Sequence, residues 1–357
     1  MKKIKFCMQH PKVKCLNDAI KYLRLEKLQE GFEFIYDEVS PDYVIYTEHI
    51  YFSKKYKDLY FKYSNINPIR IYFGRELYMP DFNLFDYATS FYDEIICEDR
   101  YSPLSSAEDQ YYDWIKDIKN NVTTIEAAKN CLNKKTGFCN FLYSNRNAHP
   151  MRDACFYELS QYKKVDSLGK WLNNVHSKGT GYEGHKYDSI DLKSNYKFSI
   201  AFENAVASGY NTEKILTSLQ AHTVPLYFGD PNIEKYINPE CFINCNKLSL
   251  AEIKKIVMDI DNNDEIWCKI VSSPWQIETQ KSFKSKKDEA YLNFWRNIFS
   301  QEKEDAYRIA KGYHPDNYIK WFRKSKPIFD VSIFIKVLRK LGIIDFLSSF
   351  KINKFNV

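Results

Sequence analysis

The sequence predicts an α/β protein built on parallel sheets, and three observations carry that prediction. Short apolar runs alternate with segments of helical apolar spacing over the first 135 residues. A second set of alternations starts near Gly137. Between Tyr196 and Leu248 a complete strand, polar loop, helix and strand can be read in one piece. At 357 residues the chain is long enough for two domains with sizeable cores.

In chain order, residues 4–8 read as a first strand. Residues 17–29 read as a helix with Ile20, Leu23, Leu25 and Leu28 apolar. Strands follow at 32–36, 43–46 and 69–73. No GxGxxG follows the first strand, so nothing there points to a dinucleotide. The stretch GRELYMPDFNLFDYATSF begins just past the 69–73 strand and puts Glu76 where open sheets gather active-site groups. Taken alone, a loop glutamate is also commonly just solvated. Residues 111–135 are polar and helical and read as a linker.

The second part opens with a strand at 137–143 that ends in Ser144-Asn145, then a helix at 149–160 and a short strand at 164–166 before Ser167-Leu168-Gly169-Lys170. Residues 174–190 are polar and glycine-rich and read as a mobile loop. An apolar run at 198–202 ends in Glu203 and Asn204. Gly209 and Tyr210 lie in the following loop. Thr212 is placed as a helix N-cap, with Glu213 and Lys214 in the first turn and Ile215, Leu216 and Leu219 as the apolar stripe. A strand at 223–228 stops at Gly229-Asp230-Pro231. Further helices are expected at 250–260, 265–272 and 289–299.

These residue types have a shared use. A helix N-terminus offers free N–H groups and partial positive charge to a phosphate, and a lysine in the first turn adds a full charge. Glu213 suits sugar or ribose hydroxyls, Asn204 both donates and accepts, and Tyr210 could stack on a base or donate to phosphate. The pattern points to a phosphorylated sugar or a nucleotide, although Glu-Lys is also what an ordinary helix start carries. Asp259-Ile260-Asp261 has the D-x-D form of a metal site but ends a predicted helix, so it is read as a solvent-facing helix end. His176, His185 and His222 lack the spacing of a metal site.

Aromatic residues make up 17% of the chain, with 28 Tyr and 25 Phe; an AT-biased genome accounts for most of that, although tyrosines also suit sugars. Nine cysteines without paired spacing predict reduced thiols and a cytoplasmic protein. The start MKKIKFCMQH has no apolar run suited to a signal peptide or membrane anchor. The net charge of +6 equals the excess in residues 316–357, which hold nine Lys or Arg against three Asp. A basic tail is not the basic face of a nucleic-acid binder. Phe334, Val337, Leu338 and Leu341 recur there at helical spacing, as on a helix that lies on an anionic membrane surface or packs back on the body.

The order YKFSIAFEN, then GYNTEKI, then VPLYFGDPNIEKYINPECFIN resembles the donor-binding signature of the α-1,3/α-1,4-fucosyltransferases, glycosyltransferase family ten. The resemblance implies a GT-B architecture, with two Rossmann-like domains facing each other across a cleft. Residues 1–135 would be the acceptor domain, 136–315 the GDP-sugar domain and 316–357 the basic tail. It also implies L-fucose transfer with inversion from GDP-β-L-fucose to a hydroxyl, expected to be the 3-OH of GlcNAc, of an oligosaccharide. Glu76 matches the family's catalytic carboxylate, with Arg75 intervening after the glycine. Lys170 matches a phosphate-binding position and Arg152 a second basic one, which helix-surface charge would explain as well. Lys170, Lys214 and the helix start at Thr212 would meet the diphosphate, and Asn204, Tyr210 and Glu213 the nucleotide or fucose hydroxyls. No cofactor is required on this reading, Mn²⁺ or Mg²⁺ serving at most as stimulants, and no nucleic acid is bound. The alternatives are another GT-B nucleotide-sugar transferase and a non-catalytic glycan- or lipid-binding protein.

Overall fold

The computed structural model describes residues 1–104, 122–175 and 188–326. They fall into two compact units divided elsewhere than at residues 135 and 315. One takes in Met1–Ser90, Glu98–Tyr101 and the described chain from Arg296 onward; the other takes in Phe91–Cys97 and the described chain from Ser102 to Trp295.

The first unit is built on a sheet of six strands: β1 (Lys2–Gln9), β2 (Phe32–Tyr36), β3 (Tyr43–Tyr46), β4 (Ile69–Phe73), β5 (Tyr87–Ser90) and β6 (Tyr101–Pro103), in the order β2-β1-β3-β4-β5-β6. Each pairing from β2 through β5 is parallel. Every residue of β3, β4 and β5 is buried, as parallel strands covered on both faces require. The expected 17–29 helix breaks in two. Its helical part, Leu16–Leu23, ends at Arg24 with φ 55°, and a single tight turn, Glu26–Leu28, follows. The left-handed cap turns the chain so that Leu25 and Leu28 still reach the core. Apolar spacing alone does not distinguish the two paths.

A segment far along the chain completes this core. Phe299, fully buried near the end of the helix Glu278–Ser300, meets Phe32, Phe34 and Tyr43 edge-on with ring centroids 5.9, 5.5 and 5.2 Å away. Asp86 accepts the backbone N–H groups of Arg308 and Ile309, each within 2.9 Å. The helix Tyr313–Lys324 packs Phe322 on Tyr60, so the described start of the basic tail lies on the body. The amphipathic part of the tail at 328–357 falls outside the described residues.

The second unit has a parallel sheet of β7 (Gly137–Phe141), β8 (Val165–Ser167), β9 (Tyr196–Phe202), β10 (Val224–Phe228) and β11 (Ile243–Asn244), in the order β11-β10-β9-β7-β8. Phe141, Phe198, Ile200, Leu226 and Trp267 lie in its core. Asp261 does not face solvent as expected. It is buried between Lys197 (2.7 Å) and Lys163 (2.5 Å), while Asp259 is exposed. Helical spacing puts Asp261 on the buried side with Val257 and Ile260, where two basic side chains neutralise it. Among the described residues no cluster of acidic, His or Cys groups could hold a metal, and all nine cysteines are free thiols. No described helix is long and apolar enough to cross a membrane. Of the expected 111–135 linker, residues 111–121 are outside the described chain and Ile125–Leu132 is a helix.

Phe299→Ala removes the ring that closes the first core. It should cost about 3–5 kcal/mol in urea denaturation, as other buried Phe truncations do, whereas Val39→Ala at a solvent-exposed site should leave the midpoint unchanged.

Candidate functional site

The expected strand, loop and helix are present, and what organises them is Glu203. Strand β9 ends at Phe202, and the next residue turns a fully buried carboxylate onto the start of the helix Glu213–Gln220. Glu203 accepts the Thr212 backbone N–H (2.8 Å), the Thr212 hydroxyl (2.8 Å) and the Lys214 ammonium (2.8 Å). Thr212 is the N-cap residue, as expected, but its hydroxyl serves Glu203 rather than the helix. Burial pushes the Glu203 carboxyl up, and Lys214 pulls it back. Burial would lower Lys214, yet Glu203 and Glu213 outweigh it and hold the ammonium charged.

Two glycines make room for this arrangement. A Cβ at Gly229 would lie 2.5 Å from Glu203 Cγ. Gly209 has φ 86°, and a Cβ there would lie 2.0 Å from the carbonyl oxygen of Phe91. Tyr210, expected to offer its face to a ligand, is buried, with its ring edge-on to Phe91 at 5.1 Å.

Arg152 departs furthest from its surface reading. It is fully buried on the helix Pro150–Ser160, with its guanidinium 4.4 Å from the Tyr143 ring centre. It donates to the Asn145 carbonyl (2.7 Å) and to Asn204 Oδ1 (3.3 Å). Asn204 therefore faces a cation at the end of β9. Lys170 is exposed on a loop whose neighbour Trp171 donates its N–H to the Tyr143 carbonyl. A cavity of about 160 Å³ is lined by Tyr143, Ser144, Lys193, Asn204, Glu213 and Lys214, among others. Of the expected residues it gathers Asn204, Glu213 and Lys214. Sequence reasoning gives Glu203 only a place beside Asn204 at the strand end, Arg152 an undecided role and Lys193 none, because the meaning of each comes from burial. His176, His185 and most of the 174–190 loop lie outside the described residues; Asp188–Ser194 is a helix.

In the first unit the carboxyl ends of β1, β3 and β4 bring together His10, Glu48, His49, Arg75 and Glu76. His10 Nε2 lies 3.2 Å from the Tyr22 hydroxyl, and Arg75 lies over the Tyr22 ring. Glu48 is buried and accepts the Arg75 N–H at 3.3 Å. Glu76 is exposed, just past this cluster. Its strand-end placement follows the expectation.

Residues 132–301 match a family model described as "Glycosyltransferase family 10 (fucosyltransferase) C-term". That stretch is a family 10 glycosyltransferase domain. It contains Glu203 and every residue that lines the cavity beside Lys214. Over 179 residues the chain is 33% identical to a putative fucosyltransferase of Acanthamoeba polyphaga mimivirus, covering 48% of this chain and 30% of that one. Over 204 residues it is 30% identical to an α-(1,3)-fucosyltransferase of Helicobacter pylori, covering 50% and 41% respectively. The chain thus spans less than half the length of either relative. A crystal structure of an α1,3-fucosyltransferase with GDP superposes with a TM-score of 0.62 over 84% of this chain and 91% of that one, at 22% identity. That likeness establishes the GT-B type of fold, with its two Rossmann-like sheets.

Burial, and then the charges of His49, Lys12 and Arg75, lower the His10 pKa from 6.5 to about 4. The unfolded chain then binds more protons between those values, so stability is full above pH 6.5 and falls as pH drops toward 4. Thermal melts over that window should show a smaller loss for His10→Gln than for the wild type.

Proposed function

We propose that the protein transfers L-fucose from GDP-β-L-fucose to a hydroxyl, the 3-OH of GlcNAc, of an oligosaccharide acceptor. What carries the reading is the Glu203–Thr212–Lys214 arrangement beside Asn204, Glu213 and Arg152, within the stretch that matches the fucosyltransferase family. The similarity to the viral and bacterial fucosyltransferases supports fucosyl transfer.

The chemistry on this proposal is one in-line displacement. The acceptor oxygen bonds to the fucose anomeric carbon, the bond from that carbon to the phosphate oxygen breaks, and the configuration inverts. Glu76 takes the acceptor's proton, a contribution of about 10²–10⁴-fold for a placed general base. The departing GDP carries the negative charge. Arg152 meets it from a buried position and Lys214 from a part-buried one, where charge acts strongly, and Lys170 from the surface. Asn204 and Glu213 have the donors and acceptors to hold sugar hydroxyls and fix orientation. With these cations the diphosphate needs no metal, and Mn²⁺ or Mg²⁺ would only stimulate. We further propose that residues 328–357 attach the protein to anionic membranes; their removal should abolish binding to phosphatidylserine vesicles with activity retained.

Calorimetric titration in EDTA should show GDP binding and no UDP binding, with Lys214→Ala weakening GDP by about 100-fold, the scale of a lost charge-assisted contact. Glu76→Gln should keep GDP affinity and lose fucose transfer by at least ~10²-fold. Equal binding of UDP, or a strict need for Mn²⁺, would replace the donor assignment with that of another nucleotide-sugar transferase. Binding of glycan without any nucleotide would favour the non-catalytic alternative.

A further inference from the structure

Lys193 lies at the end of the helix Asp188–Ser194 and lines the same cavity as Lys214, with its side chain almost wholly buried. Its ammonium donates to the hydroxyl of Thr217 (2.7 Å), the hydroxyl of Ser218 (3.1 Å) and the carbonyl of Lys214 (3.4 Å). All three acceptors belong to the helix Glu213–Gln220, and all three are neutral. Among the described residues no carboxylate lies within ion-pair distance of Lys193. By contrast, Lys214 has Glu203 at 2.8 Å and Glu213 at 3.7 Å. The contacts of Lys193 continue inward. Ser218 donates to Ser199, Ser199 to the side-chain oxygen of Asn140, and Asn140 to the Phe198 carbonyl, each within 3.0 Å. This buried polar chain ties the helix to β9 and β7. A lysine is an expensive way to head it, because a buried cation without a counter-charge is strongly disfavoured.

We propose that Lys193 is a positioning residue of the donor site: it fixes the helix that carries Glu213 and Lys214, and its missing counter-charge is supplied by the diphosphate of the bound nucleotide. The inference rests on the donor reading above and deepens it. Burial holds the ammonium near neutrality, at a pKa of about 7. Glu213 and Glu203 favour its charged form and Lys214 opposes it, while Thr217 and Ser218 are uncharged. An arriving diphosphate raises that pKa, so binding GDP takes up a proton at Lys193. A lysine with a purely structural role would not do this.

The test is calorimetry of GDP binding at pH 7.5 in two buffers of different ionisation enthalpy, which counts the protons taken up. Wild type should take up a larger fraction of a proton than Lys193→Met. Between pH 7 and 8.5 its GDP affinity should fall about tenfold more than that of the variant, the shift expected for one group titrating near 7. Subtracting the variant removes the titration of the nucleotide itself. Lys193→Gln, which keeps a donor for Thr217, serves the same comparison if the methionine variant does not fold. Equal proton uptake in wild type and variant overturns this inference alone. A wild type that binds no GDP overturns the donor reading and this inference with it.

Discussion

A buried carboxylate at a helix start holds the second unit's loop edge in its shape. Glu203 takes up a backbone N–H that would otherwise be free at the start of the helix Glu213–Gln220, and it fixes the Lys214 ammonium beside it. Its bulk requires a glycine at 229, and the turn at Gly209 brings the preceding loop against Phe91. The helix start is therefore not an open phosphate cradle. Its positive end is already satisfied by a protein carboxylate, and the charge offered outward is that of Lys214.

This changes how a phosphorylated ligand would be met. With Glu203 on the helix, Lys214 is shared between a permanent acceptor and any arriving anion, which fixes its position without neutralising the whole site. Arg152 adds a buried cation through Asn204, and Lys193 another. Two buried basic groups and the part-buried Lys214 against the carboxylates of Glu203 and Glu213 form a costly arrangement for a folded chain. Such costs concentrate where ligands are bound, since stability alone is served better by apolar packing.

The alternation of strands and helices was legible because parallel strands buried on both faces leave continuous apolar runs, as at Ile69–Phe73 and Val224–Phe228. The left-handed turn at Arg24 was not legible, since Ile20, Leu23, Leu25 and Leu28 keep helical spacing on either path. The short strand Tyr87–Ser90 was hidden inside a segment read for its motif. In the site, Asn204, Glu213 and Lys214 could be placed from local order. Arg152 and Asp261 looked like surface charges, because nothing in the neighbouring residues reveals that Tyr143 lies beneath one and two lysines flank the other. The burial of Tyr210, a polar aromatic in a loop that packs on Phe91, was equally hidden from its neighbours in sequence. Long-range closure was the least visible feature: Phe299 packs on Phe34 and Tyr43, which lie more than 250 residues earlier in the chain.

The most direct test of the account is a crystal structure with GDP bound. It should show the diphosphate within about 3 Å of Lys214 Nζ, the reach of a charge-assisted hydrogen bond, with Glu203 still accepting the Thr212 N–H. A nucleotide bound away from this cavity, or one whose phosphate displaces Glu203 from the helix start, would contradict it.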